Sequence, residues 1–500
     1  MTLPPSDSHD KQPDASFDGG DLDCGNGLLL LIRKHLDELA GGQLLEIKST
    51  EISVEEDLPA WCRLTKNSLV SWTKQGRQRS YLVQKRVDTR PLAEADLGER
   101  PSSPTRGSGR KADTPNTAVP PLSVMGIGSW PRPGWMLRAI HKYVSGNLSE
   151  HEFNELGNDA VRLSIESQLR AGVDVVTDGE QRRDNYASFV GMHLENVQLI
   201  PLTDLLPMVD HPEKFEQHLQ QLDVAADVLR HPAVFGKLKR KGTLAAHECE
   251  FVRTLTDRPI KVSLPGPYLL TRTMFLDCFK EKAYALRDDL ATDIIAILRD
   301  EIADLLQAGA ALIQLDEPIL TEVVMGTANA GHTFMCGALS ERGDMNAELE
   351  FALDVLNRVC DGFPKDRLAM HVCRGNWSPN ENVALTGGYE ALLPLFKQVR
   401  VGTLFLEYCT PRAGDLKVLS ELPAHLRIGL GVVNPKATQV EGFDEVLARV
   451  EQGAALIGSD RLILNPDCGF ATFADNPVAD AATAEAKLEV ISTVARRVRL

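Results

Sequence analysis

No apolar run in this chain of 500 residues approaches the roughly 18 to 20 needed to cross a bilayer. The longest, Leu28 to Ile32, is at most the core of a helix. The start of the chain has neither a basic patch nor an apolar stretch, so no secretory signal and no membrane partner are expected, and a cytoplasmic location follows by default. An excess of cations is lacking too: 54 Lys and Arg stand against 70 Asp and Glu, a net charge of −16. That argues against nucleic acid as a partner, because phosphate binding needs clustered cations. The short basic run Lys237 to Lys241 reads as a solvated hairpin or helix edge. The nine cysteines are scattered, with no compact disulfide framework. In a reducing compartment they are expected as thiols or metal ligands. What is present, 43% hydrophobic and 25% charged residues, is an ordinary soluble composition on a chain too long for one core.

The pattern divides the chain into segments. Residues 1–16 are polar and rich in Pro and Asp, and are expected to be disordered. In residues 17–87, Gly27 to Ala40 has helical periodicity and ends at Gly41-Gly42, a helix stop. Leu44 to Lys48 reads as a strand, and Val54 to Lys66 as a second helix with acids in its first turn. Leu69 to Trp72 and Ser80 to Gln84 read as a hairpin around Gly76. The expectation is a small α+β module of βαβαββ order, provided that a short strand precedes Cys24. Residues 88–121 turn to Pro, Ser, Gly, Thr and Arg and read as a disordered linker.

Residues 122–500 repeat a short apolar strand, a polar or Gly-rich turn and a helix. The strands are expected at Val124–Gly128, Val173–Thr177, Ile260–Leu264, Ala311–Leu315, Leu368–Val372, Thr403–Leu406, Arg427–Val432 and Arg461–Leu464. This alternation predicts a (β/α)8 TIM barrel, with a doubly wound sheet as the competing architecture. The stretch Leu199 to Leu255 reads as a partly helical insertion, an arm or lid.

In a barrel, chemistry sits where strands end at their C-terminal side. Here those ends read GIGSW (Gly126 to Trp130), TDGE (Thr177 to Glu180), LPGP (Leu264 to Pro267), LDEP (Leu315 to Pro318), HVCRGN (His371 to Asn376), FLEY (Phe405 to Tyr408), GVVNPK (Gly431 to Lys436) and NPDCGF (Asn465 to Phe470). His371 and Cys373 are two apart on a strand and face the same side. With Glu407 and Cys468 they make a set of imidazole, two thiolates and carboxylate, which suits Zn2+ and leaves the carboxylate as the ligand to yield to a substrate. Taken alone, the His-x-Cys pair also describes a buried histidine beside a structural cysteine. Four ligand-type residues at strand ends favour the metal.

On these residues the segment 122–500 resembles the catalytic domain of cobalamin-independent methionine synthases, in particular their shorter relatives. The resemblance implies that His371, Cys373, Glu407 and Cys468 bind catalytic zinc. It implies that Ile127, Gly128 and Ser129 contact the amino-acid substrate, and that Glu180 and Asp316 hold its ammonium group. The implied activity is methyl transfer to a small-molecule thiol, homocysteine or a related sulfur acceptor. The plainer readings are that Asp316 caps a turn and that Glu180 is solvated. The sequence departs from the family on the methyl-donor side. Asn434-Pro435-Lys436 stands where the family has a histidine, leaving Lys436 as the catalytic proton donor if its pKa is depressed. Tyr268 stands nearest to the family's folate-stacking tryptophan, and Ala471-Thr472-Phe473 replaces its basic residues. A folate or a corrinoid carrier protein is therefore left open as donor.

Residues 17–87 resemble the TusA/SirA sulfur-carrier family, on Cys24-Gly25-Asn26-Gly27 at a helix start and on Glu55 to Arg63. That resemblance implies Cys24 as a sulfur carrier, its thiolate favoured by the helix dipole, with a sulfur-relay protein as partner. An inert docking module is the alternative. Cys62, on an apolar helix face, reads as packing. For the whole chain, the alternative to the enzyme is a non-catalytic, zinc-containing thiol-binding protein of sulfur trafficking.

Overall fold

The computed structural model describes residue 6 and residues 8–22, 28–37, 39–65, 67–86, 115–144, 146–201, 230–275, 283–326, 344–375 and 381–500. Most of the expected linker, residues 88–114 of 88–121, lies outside them.

The small module contains β1 (Ala15–Asp18), α1 (Leu29–Asp37), β2 (Leu44–Ser49), α2 (Val54–Thr65), β3 (Ser68–Gln75) and β4 (Gln78–Gln84). The sheet order is β1-β2-β4-β3, with β1 parallel to β2 and the other pairs antiparallel. The strand that the βαβαββ reading requires before Cys24 is therefore present. It begins at Ala15, inside the stretch expected to be disordered. Ser6 also bridges Thr73, and His9 reaches Ser71 and Ser80 through its two ring nitrogens. Alternate residues of β2 and β4 meet the apolar faces of the helices in a core of Leu28, Ile32, Leu45, Ile47, Leu58, Trp61, Tyr81 and Val83. Cys62 belongs to that core, as packing.

The large segment is a closed parallel barrel. Six strands, β7 (Lys261–Pro265), β8 (Leu312–Asp316), β9 (Leu368–Val372), β10 (Thr403–Leu406), β11 (Arg427–Val433) and β12 (Leu462–Pro466), form one sheet in sequence order. Two shorter segments close it. Val124 bridges Leu464, Met125 bridges Val175, and Val176 bridges Ile260, all in parallel. The first two expected strands are thus single bridges rather than full ladders. A doubly wound sheet would have left two open edges, and here the first and last segments pair.

Each of these strands is buried on both faces, as helices around a parallel sheet require. Inside the barrel, Met125, Ile127, Val175, Leu312, Ala369, Phe405 and Ile463 pack together. Outside, α3 (Gly134–Val144) and α4 (Glu150–Arg170) follow the first segment, and helices cover the sheet with apolar stripes, such as Leu290, Ile294, Leu298, Ile302 and Leu305 of α7 (Arg287–Ala308). That helix stops at Gly309 with φ +87°, the left-handed C-cap at which a side chain would also strike Pro115.

The insertion between the second and third barrel segments is more β than expected. It is an antiparallel hairpin of β5 (Leu194–Pro201) and β6 (Arg230–Arg240), followed by α5 (Ala246–Arg253). Lys237 to Arg240 lie on this hairpin, as one reading of the basic run proposed; residues 202–229 are outside the described set. Glu301 of α7 ties the insertion down. Its buried carboxylate accepts from the backbone N–H groups of Leu244, Ala245 and Ala246 at 2.7, 2.7 and 2.8 Å and pairs with Arg240 at 3.1 Å. Glu301→Ala strands those donors, and is expected to cost about 3–5 kcal/mol in denaturant unfolding, as for a broken buried ion pair. Loss below 1 kcal/mol, an order-of-magnitude floor for a single hydrogen bond, would contradict the anchor.

Candidate active site at the barrel mouth

The C-terminal ends of the strands bring the expected ligands together. His371 lies on β9 with Cys373 two residues on, and Cys468 follows β12. Their ligating atoms all lie within 4.8 Å of one another, and all three residues are buried. The imidazole is oriented: Nδ1 lies 2.8 Å from Oδ1 of Asp316, while Nε2 is buried with no hydrogen-bond partner among the described residues. A proton on Nδ1, donated to the carboxylate, leaves the Nε2 lone pair facing the thiols.

The two thiols titrate as a pair. A hydrogen bond from Cys468, foremost, brings the Cys373 thiol down, against burial and with help from His371; the second proton is held up on Cys468 by the same contact and by burial. An orphaned imidazole nitrogen beside two thiols that share a proton is a donor set that fits zinc.

Glu407 is fully buried on the same side but is engaged elsewhere. Oε1 accepts from Arg412 Nε at 2.9 Å and Nη2 at 2.6 Å, and Oε2 accepts from the Arg374 backbone at 3.1 Å. Three of the four expected ligands therefore converge in the cluster, and the fourth is held against Arg412. Arg412 also donates to Glu381.

Tyr389 sets the spacing of the two ligand strands. Its hydroxyl donates to Val372 O at 3.0 Å and accepts from the Glu407 N–H at 3.0 Å and from Arg374 Nη1 at 2.7 Å. Beside Cys468, Asp467 Oδ1 receives the N–H groups of Tyr408 and Cys409, both at 2.9 Å. Burial and the charge of Glu407 push that carboxyl up to about 8. A Cβ on Gly431 would come within 2.0 Å of Asp467 Oδ1, so the close approach requires glycine there.

Glu180, near enough to Asp316 for their charges to interact, forms a second wall, with a left-handed backbone (φ +54°) unusual for a side-chain-bearing residue. Its Oε2 is buried without a partner among the described residues. Burial, opposed by Arg183 and reinforced by Asp316 and Asp178, raises its pKa to about 7. The segment Ile127-Gly128-Ser129 braces this wall. Ile127 O accepts from Ser263 Oγ at 3.0 Å, and Gly128 O from Thr177 Oγ1 at 2.9 Å. Ser129 receives the N–H of Phe470 on its carbonyl at 3.1 Å and that of Ala471 on its hydroxyl at 3.3 Å. Arg132 joins the same two loops, donating to Ala471 O at 2.9 Å and to Glu180 O at 2.7 Å.

Lys436 is buried at the mouth, and burial, with the charge of Arg412, pulls its ammonium down to about 8. Its loop is held by Glu441, which accepts from the Asn434 N–H at 2.7 Å and from Lys487 Nζ at 2.8 Å. Tyr268, the residue nearest to a stacking aromatic in the sequence reading, does not serve there. It is fully buried at the start of α6 (Pro267–Met274), and its hydroxyl donates to Glu348 at 2.7 Å. Asp316 is not a simple turn cap, because it partners His371. Cys24 lies outside the described residues.

Arg412, Tyr389 and Arg132 carry no motif that marks them in the sequence. Gly128 supplies a direct check of the Glu180 wall, since a Cβ there would lie 2.1 Å from Glu180 Oε1 and 2.9 Å from Ser263 Oγ. Gly128→Ala is expected to displace the carboxylate and raise KM for an amino-acid thiol by about tenfold or more, the loss of a charge-assisted hydrogen bond. Steady-state kinetics checks this, and an unchanged KM would dissociate Glu180 from substrate.

Comparison with known proteins identifies the family of the barrel. The family described as cobalamin-independent synthase, catalytic domain, matches residues 122–495. The methionine synthase of Saccharolobus solfataricus is 25% identical over 354 residues, spanning 70% of this chain and 89% of that protein. The methionine synthase of Thermococcus kodakarensis is 28% identical over 353 residues, spanning 70% and 88%. In fold, the chain is similar to a B12-independent methionine synthase from Shewanella sp. solved with selenomethionine, with a TM-score of 0.57 at 22% identity over 76% of this chain and 98% of that one. A matched segment that runs from the first barrel segment into the last helix places the chain in the cobalamin-independent synthase catalytic-domain family.

Proposed function

We propose that this methyltransferase transfers a methyl group to the sulfur of homocysteine or a closely related amino-acid thiol, with zinc as its cofactor. The observation that carries the reading is the convergence of His371, Cys373 and Cys468 within 4.8 Å at the barrel mouth, with His371 Nε2 left unpartnered. These three residues would hold the ion, and Glu407, once released from Arg412, would be the carboxylate that joins and then yields to the substrate. When bound, zinc supplies a Lewis acid that lets a thiol exist as thiolate near neutral pH.

The chain's own residues supply the rest. Glu180 turns its unpartnered Oε2 toward the ammonium of an amino-acid substrate, and Asp316, beside His371 but close enough to act on Glu180, adds a second negative charge. Ile127 to Ser129 hold the Glu180 wall at its distance from Cys468. The substrate sulfur forms the new S–CH3 bond while the donor leaves with the electron pair of the broken bond. Lys436, with its ammonium pulled down to about 8, can give that leaving group a proton from Nζ near neutral pH. Both donor classes, a folate and a corrinoid carrier protein, are compatible with this arrangement. Membership in an enzyme family weighs against the non-catalytic sulfur-trafficking alternative. The decisive experiment measures metal by atomic emission in the protein purified without chelators, beside Cys468→Ser. About one zinc per chain, largely lost in the variant, is the expected result. A chain that neither carries nor takes up zinc refutes the proposal.

The βαβαββ order of residues 15–84 supports the sulfur-carrier reading of the small module, in which Cys24 delivers sulfur to a relay partner or to the barrel. A tether raises the effective concentration of such a thiol. Cys24→Ser is expected to abolish turnover with a protein-delivered sulfur source and to leave turnover with free homocysteine unchanged. Equal activity with both sources would make the module a docking device.

A further inference from the structure

A lysine lies inside the barrel beneath the ligand cluster. Lys261 opens β7, is fully buried, and donates from Nζ to Gln314 Oε1 at 2.6 Å. Gln314 in turn donates from Nε2 to Asp316 Oδ1 at 2.7 Å, and the same oxygen faces His371 Nδ1 at 2.8 Å. Nζ also sits 4.3 Å from the centre of the Phe405 ring. We propose that Lys261 is a positioning residue that acts through Gln314 and Asp316 to fix the tautomer of His371, and with it the direction of the metal-ligating lone pair. The inference rests on the zinc reading of the site for its consequence, but its geometry is present in the protein without metal.

The argument is one of hydrogen-bond polarity. An ammonium only donates, so it selects the oxygen end of the Gln314 amide. The NH2 end must then face Asp316. A flipped amide would set NH2 against the ammonium and oxygen against the carboxylate, two repulsive contacts in a low-dielectric interior. With Asp316 Oδ1 accepting from both sides, the imidazole must place its proton on Nδ1 and leave Nε2 bare. Burial pulls the Lys261 ammonium down to about 7, while the charges of Asp316, Glu180 and Cys468 oppose that pull. Burying an ammonium is costly, and an apolar side chain of similar size often serves stability as well or better. A lysine kept here for packing alone would therefore be replaceable.

The experiment compares the full-length protein with Lys261→Met, Gln314→Met and the double variant at about pH 7, where Lys261 still carries a proton and the neutral imidazole fraction has a tautomer to report. Zinc affinity is read by competition with a chromogenic chelator, and the His371 tautomer of the metal-free chain by nitrogen-15 NMR of labelled histidine. Either single variant is expected to weaken zinc by about tenfold or more, the usual effect of losing an outer partner of a ligating histidine. The Nδ1–H form should give way to a mixture of tautomers, while thermal stability is kept. The double variant should be no worse than either single one, because both act along one path. Should Lys261→Met fail to fold, Gln314→Met carries the same two readouts. An unchanged tautomer with unchanged zinc affinity, or losses that add in the double variant, would overturn the inference. A wild-type chain that binds no zinc would sink the proposed function instead, and the tautomer would still decide the role of Lys261.

Discussion

Closure of the parallel sheet is the constraint on which this protein depends. The bridges from Val124 to Leu464 and from Val176 to Ile260 join the first two segments to β12 and β7. Without them β7 and β12 would be open edges, and the loops after the strands would point to no common centre. Closed, the sheet sends alternate residues inward and all strand ends to one mouth. Ligand-type residues 97 positions apart, His371 and Cys468, then meet within 4.8 Å.

Gathering such groups carries an electrostatic cost, and the structure meets it with hydrogen bonds of defined polarity. Glu407 is held by Arg412 and by the Arg374 backbone, Asp467 by two N–H groups, and Asp316 by Gln314 and His371. Each carboxylate is given a direction as well as a partner. Among the buried atoms with no partner in the described residues are Glu180 Oε2, His371 Nε2 and Asp467 Oδ2. In a native interior, buried polar atoms without partners are few and tend to mark where something else binds. Under the proposed function, Glu180 Oε2 would take the substrate ammonium and His371 Nε2 the metal.

Much of the site was legible because its motifs sit at strand ends. His371, Cys373 and Cys468 follow from residue chemistry and period-two spacing. The fifth and sixth strands were readable to the residue, since a continuous apolar run leaves little choice of boundary. The first two strands were not, because pairing through one bridge depends on partners far away in the chain. The strand pairing inside the partly helical insertion was not legible for a related reason: β5 and β6 join segments on either side of residues 202–229. Tyr268 shows the limit for side chains. Its position after the third strand is right for an aromatic at the mouth, but Glu348, 80 residues on, takes its hydroxyl away.

By itself the sequence determined the alternation of strands and helices, the small module's βαβαββ order, and the inventory of metal-ligating and acidic groups at the strand ends. These are properties of local periodicity and residue type, and they survive without knowledge of any long-range contact. Tertiary structure alone decided which groups share a proton or an acceptor. It turned Glu407 onto Arg412, committed Asp316 to His371, and put Lys261 beneath the ligands by way of Gln314. The physical reason is that hydrogen-bond partnership is set by distances of about 3 Å between residues remote in sequence, and nothing local in the chain encodes those distances.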